Sequence, residues 1–252
     1  MTLHTFGVGR RQEVCSEILR ASDATRKYDD LILLPIPSSR DKIHITGTEV
    51  PLESLLKFKK DGSLIAGYGL PLDFVREAAL RGIETIDASA DERFLRENAE
   101  LTAHGTAGLI LTKHQDAISD MKIGIIGYGR IGKILSRILL FLGARTVIFT
   151  RRRETKLELC TVGIEAAGAD ELERALGLDI LINTAPAELV SKELADALCR
   201  EGCELIDLAS GNRLPDCDGL LRLPSIPDKM YPASAGRIYA AAILRAIEGG
   251  RA

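Results

Sequence analysis

The chain has 252 residues, a formal net charge of −3, 46% hydrophobic and 27% charged residues, and only 4% aromatics with no Trp. That length favours two compact units over one core, and the composition is that of an ordered protein with an aliphatic interior. The balance lacks both the basic footprint and the aromatic platform of a nucleic-acid binder, and no run of about 18 apolar residues is present to span a bilayer, so neither partner is expected.

In chain order, short apolar runs alternate with amphipathic ones, the pattern of parallel sheets covered by helices. Strands are expected at residues 3–9, 29–36, 62–69 and 83–88, then at 121–127, 145–150, 163–168, 179–185 and 203–209. Helices are expected at 11–21, 71–82, 130–144, 193–202 and 234–250, where apolar residues recur at three-and-four spacing. Between the two groups of strands, "DERFLRENAELTAHGTAGLILTKHQD" is helix-like without a strand. It divides an N-terminal α/β domain (1–100) from a nucleotide-binding domain (121–235), with a connecting helix at 101–120 and a C-terminal helix (236–252) packing back at the junction. Gly105 and Gly108 lie in this connecting helix at a propensity cost of about 2 kcal/mol, which close backbone packing would justify.

"KIGIIGYGRIGKILSRILLFLGA" joins an apolar strand to a helix through Gly127, Gly129 and Gly132. This spacing in a strand–turn–helix context is the phosphate cradle of a dinucleotide site. Gly127 permits the tight turn, Gly129 the approach of a phosphate and Gly132 close packing of helix on strand, while Arg130 and Ile131 open the helix whose N–H groups face the pyrophosphate. An NAD site carries Asp or Glu at the end of the next strand, about 20 residues on. Here that position holds Thr150, Arg151, Arg152 and Arg153. Guanidinium groups fork onto a 2′-phosphate, so NADP (NADPH) is the expected cofactor, against the alternative of a solvated charged loop. Asn183, Thr184, Ala185 and Pro186 end a buried run and either border the nicotinamide or serve as turn and cap residues; Asp207 and Ser210 pose the same choice.

Five scattered cysteines without zinc-knuckle spacing argue for reduced thiols and no metal. The opening "MTLHTFGVGRRQEV" lacks the charged-then-apolar order of a secretory signal, so a cytoplasmic location is expected.

Gly7, Arg10, Arg11 and Gln12, followed by "LPIPSS", "ENAELTAHGTAGLIL", "GYGRIGKIL", "DILINTAPAEL", "DLASG" and "PASAGRI", occur in an order that resembles the dipicolinate synthase A family over nearly the whole chain. The resemblance implies an α/β architecture of a flavodoxin-like first domain, here shortened, and a Rossmann, doubly wound parallel-sheet second domain. It implies NADP-dependent oxidation of a dihydrodipicolinate-type precursor to dipicolinate during sporulation, with the flavoprotein-like dipicolinate synthase B as partner; small-residue helices suit a homo-oligomer. A dicarboxylate substrate calls for cationic clamps and a base. Arg10 and Arg11 either clamp a carboxylate or are solvated, and Ser38 and Ser39 are further candidate donors. His104, Asn98 and Thr102 are the candidates on the connecting helix. Asn98 and Thr102 share a face, whereas His104 lies about 200° from Thr102 unless the helix breaks at Gly105. The alternatives are an NADP dehydrogenase of another small carboxylate, shikimate-type, using Lys42 and Asp87, or a non-catalytic NADP-binding subunit.

Overall fold

The computed structural model describes residues 1–57 and 62–249. The chain forms two units, one of Met1–Asn98 with Pro227–Ala252 and one of Ala99–Ile226. The first opens with β1 (Thr2–Thr5), α1 (Arg10–Ala21), β2 (Asp30–Leu33), β3 (Ser63–Gly67), α2 (Leu72–Leu80) and β4 (Glu84–Asp87). Its four strands are parallel and stand in sequential order. β2 and β3 are buried throughout, as continuous apolar runs covered on both faces must be. Leu31, Leu33, Leu64 and Ala66 face one side, where Cys15 and Leu19 of α1 pack. Ile32, Leu34 and Ile65 face the other, against Leu52, Leu55, Phe74 and Ala78. A flavodoxin-like sheet would place a further strand beyond β1. Here Ser22 and Asp23–Lys27 turn the chain straight back to β2, with Thr25 Oγ1 donating to Leu19 O at 2.8 Å, so among the described residues β1 is left as an edge.

A long helix, α3 (Glu92–Lys113), then runs unbroken through Gly105 and Gly108. The second unit continues with β5 (Lys122–Ile126), α4 (Arg130–Phe141), β6 (Arg145–Thr150), α5 (Arg153–Thr161), β7 (Glu165–Gly168), β8 (Ile180–Asn183), α6 (Lys192–Arg200), β9 (Glu204–Asp207) and β10 (Leu221–Arg222). The strands are parallel in the order β10-β9-β8-β5-β6-β7. The order reverses at β5, which makes this a doubly wound Rossmann sheet with its switch point between β5 and β8. Ile123, Ile125, Ile148, Ile182 and Ile206 pack one face with Leu135 and Leu139 of α4 and Ala103 and Ala107 of α3. Ile126, Phe149, Leu181 and Leu205 pack the other with Ala195 and Leu198 of α6.

The chain then returns through α7 (Ile226–Met230) and α8 (Pro232–Gly249) to complete the first unit. Tyr239, Ala240 and Ile243 of α8 join the cluster around Leu19, and Tyr239 Oη donates to Leu34 O at 3.1 Å. A side chain at Gly236 would meet Arg11 O at 2.6 Å, so α8 lies directly on the backbone of α1. Arg245 clasps Asp91 with Nη2 at 2.7 Å and Nε at 2.9 Å. Three elements are additional to the sequence expectation: α5, which begins inside the arginine run, β10 and α7. The last residues of the helix expected over 234–250, and all of 251–252, lie outside the described residues. No described helix is long and apolar enough to cross a membrane.

Candidate functional site

The turn after β5 has the shape its glycines require. Gly127 sits at φ 97°, and a Cβ there would approach Thr184 Oγ1 to 2.8 Å. At Gly132 a Cβ would stand 2.2 Å from Gly127 O, so only glycine lets α4 start this close to the strand. Gly129 is the contrast: nothing lies within 4 Å of the Cβ it lacks, and it is exposed. Gly129 is also the N-cap of α4, and no side chain caps the helix. The first-turn N–H groups of Arg130, Ile131 and Gly132 therefore meet no side-chain cap, and the helix dipole favours an anion at this end.

The end of β6 carries the second part. Thr150 is buried and its Oγ1 accepts from Arg152 N at 3.2 Å, which makes a side chain the pivot of the turn into α5. Arg151, Arg152 and Arg153 are exposed, and among the described residues their guanidinium groups make no hydrogen bond or ion pair. The neighbouring charges are engaged. Lys156 Nζ donates to Glu171 Oε2 at 2.5 Å, and the same oxygen accepts from Gly168 N at the end of β7. These contacts hold the Glu171 carboxyl well below the usual range, at about 2. The nearby acid is thereby committed to its own lysine and backbone.

At the ends of β8 and β9 the side chains hold the loops. Asn183 is buried, donating to Asp207 Oδ1 at 3.0 Å and to Ala185 O at 3.2 Å while accepting from Ala185 N at 3.1 Å. Thr184 Oγ1 donates to Ile126 O at 2.9 Å, tying this loop to the glycine turn. Asp207 accepts from Ala209 N, Arg213 N and Leu214 N at 2.7 to 3.1 Å. The side chains of Asn183 and Asp207 thus hold the turns at the ends of β8 and β9. What the Asn183–Pro186 segment places beside Gly127 is Thr184 and Ala185, and Pro186 is exposed.

In the first unit Arg11 is buried, with Nε 2.7 Å from Asp228 Oδ1 and Nη2 donating to Asn98 Oδ1 at 3.4 Å. Burial pulls the Arg11 guanidinium down and the Asp228 carboxyl up, each partly offset by the other's charge. Asp228 comes from α7, and its partnership has no local signal in the sequence. Arg10 is exposed beside Glu13 and Glu17 at 3.3 and 3.5 Å. Because α3 does not break, Thr102 is buried while His104 is exposed on another face, 4.0 Å from Glu100. Ser38 Oγ accepts from Tyr68 N at 2.7 Å and Ser39 Oγ donates to Asp41, so both order loops. Asp87 accepts from Gly69 N, Leu70 N and Ser89 N, each at 2.8 Å, which makes it a loop anchor. No group of three His, Cys, Asp or Glu among the described residues could hold a metal.

No family model matches the sequence, and no curated protein sequence matches it. Among solved structures the chain is similar to dipicolinate synthase A from Bacillus halodurans, with 19% identity and a TM-score of 0.78, covering 98% of this chain and 97% of that one. It is equally similar to dipicolinate synthase A from Bacillus subtilis, at 19% identity and TM-score 0.78, covering 100% and 97%. Salmonella D-lactate dehydrogenase matches at 14% identity and TM-score 0.65 over 100% of this chain and 98% of that one. At such identities the likeness establishes the fold, and it falls on the same proteins that the sequence motifs resemble.

Proposed function

We propose that the chain is an NADP-dependent oxidoreductase of the dipicolinate synthase A type, which oxidises a dihydrodipicolinate-type dicarboxylate to dipicolinate. The observation that carries the reading is the pairing of an open, uncapped helix start at Gly129 with three unengaged guanidinium groups at the end of β6. The N–H groups of Arg130, Ile131 and Gly132 would hold the pyrophosphate, and Arg151 and Arg152 the 2′-phosphate. The Thr184–Pro186 backbone would border the nicotinamide, fixed by the bonds of Asn183 to Asp207. When bound, the nicotinamide supplies a hydride acceptor. Arg11, a buried cation in the first unit, is the group assigned to a substrate carboxylate, with Asp228 and Asn98 fixing its fork. The flavoprotein-like dipicolinate synthase B is the proposed partner, and self-association of this chain is proposed with it. The shikimate-type alternative loses support from Asp87, whose carboxylate is occupied by three backbone donors.

The test is titration of the purified chain with NADPH and NADH, beside Arg151→Ala. Wild type is expected to prefer NADPH by about tenfold to a hundredfold, the worth of one charge-assisted hydrogen bond, and the variant to lose most of that margin. Equal affinity for the two nucleotides in wild type defeats the NADP assignment, and binding of neither defeats the oxidoreductase reading. Turnover of dihydrodipicolinate, with and without the flavoprotein-like partner, then decides the substrate. Nucleotide binding without turnover in both conditions indicates the non-catalytic role instead.

A further inference from the structure

Cys199 and Cys217 are not among the residues assigned above. Cys199 is on α6 and Cys217 in the loop that leaves β9, yet Cys199 Sγ stands 3.0 Å from Cys217 Sγ, across 18 positions of chain. Both cysteines are free and partly exposed, whereas Cys15 and Cys203 are buried. Both also pack against the apolar cluster that includes Leu198 and Leu214, so the approach is fixed by core contacts on each side. From 3.0 Å the sulfurs need to close by about 1 Å to reach the length of a disulfide bond. Lys192, about two turns before Cys199 on α6, is paired with Asp196 and close enough to interact with both sulfurs.

We propose that Cys199 and Cys217 form a reversible intrachain disulfide by exchange with a small-molecule disulfide such as oxidised glutathione. The Cys199 sulfur attacks the reagent's S–S bond, forming a mixed disulfide and releasing one reagent thiol. The Cys217 sulfur then attacks Cys199 Sγ, the mixed S–S bond breaks, and the second reagent thiol leaves with the proton from Cys217. Two protein thiols are oxidised and one reagent disulfide is reduced to two thiols. Burial and the neighbouring thiol push Cys217 up to about 12, so the second step depends on the 3.0 Å proximity of the two sulfurs and not on a ready thiolate.

The bond acts on a defined segment. The start of the 208–220 loop is already held to β9, because Arg213 N and Leu214 N donate to Asp207. Residues 212–216 line a cleft of about 400 Å³ together with Glu188 and Arg222, and Cys217 follows them directly in the later half of the loop. A Cys199–Cys217 bond would tie that second half to α6 and fix the wall of the cleft. Both halves would then be anchored.

The experiment equilibrates the full chain with glutathione buffers of rising oxidised fraction, quenches with a thiol alkylator and maps the peptides by mass. The expected result is coordinate loss of alkylation at Cys199 and Cys217, a linked peptide two hydrogens lighter, and full recovery with excess reduced glutathione. Cys217→Ser is expected to accumulate a stable glutathione adduct on Cys199, and Cys160→Ser to leave the linkage unchanged. Amides of residues 208–220 are expected to exchange more slowly in the oxidised chain. Full alkylation of both thiols in the most oxidising buffer overturns the proposal, as does a linkage that maps to Cys203 or between two chains. None of these readouts depends on nucleotide binding.

Discussion

At the scale of single residues, the two glycines that open α4 answer to different forces, and substitution separates them. Gly129→Ala adds a methyl to empty space at φ −83°, a conformation alanine adopts freely. Its stability is expected to stay within about 0.5 kcal/mol of wild type in urea unfolding, while NADPH affinity falls because the methyl occupies the phosphate's approach. Gly132→Ala forces a methyl to within 2.2 Å of Gly127 O, and backbone cannot yield cheaply. That variant is expected to lose about 1 to 3 kcal/mol or more in the same measurement. A chain in which the two substitutions gave equal losses of stability would have a different turn. Both roles are legible from spacing alone, since a G-x-G-x-x-G between strand and helix dictates them. The partner of Arg11 is not. Asp228 reaches Arg11 only because α7 and α8 bring the chain back, and no local pattern encodes that meeting.

At the scale of elements, β2, β3 and β8 are the most legible in the sequence, because a strand buried on both faces declares itself in hydropathy. β10 does not, for two paired residues, Leu221 and Arg222, carry no periodicity. α5 is hidden for another reason: of "RETKLELCT" only Leu159 is buried, so the helix lacks an apolar stripe. It is supported by its charges, and those make a pH prediction. The Glu171 carboxyl, held at about 2 against 4.5 for a free glutamate, stabilises the fold above the free value and loses that contribution as pH falls toward the folded one. The difference in urea midpoint between wild type and Glu171→Gln is expected at neutral pH and to vanish between pH 4.5 and about 2. A difference that persists unchanged below that window would assign the effect to packing. In α7, Asp228→Asn leaves the buried Arg11 cation without its counter-charge, and a loss of about 3 to 5 kcal/mol is expected by denaturant titration. A loss under about 1 kcal/mol would mean that water or Asn98 carries the charge equally well.

At the scale of the whole molecule, the alternation of strands and helices announces two α/β sheets, and the length of "EVCSEILRASDATRKYDD" announces that the first lacks a strand. The sequence reading has the C-terminal helix pack back at the junction, but it does not announce that this helix belongs to the core of the first unit. Its sheet is made by residues 1–98, but one face is closed by α8, whose Tyr239, Ala240 and Ile243 lie in the same core as Leu19, Leu31 and Leu64. The second unit, 99–226, is a single stretch. On a ribosome, which delivers the chain from its N-terminus, this inverts the order of completion. The second unit has all its residues as soon as Ile226 has emerged, while the first waits with Leu31 and Leu64 uncovered until α8 arrives. A nascent chain arrested before Pro232 is expected to protect 99–226 from protease and leave 1–98 open to cleavage. α8 is thus the element that ends the exposure of a core begun more than 200 residues earlier, and a chaperone watching this protein being born would find its longest engagement on residues 1–98.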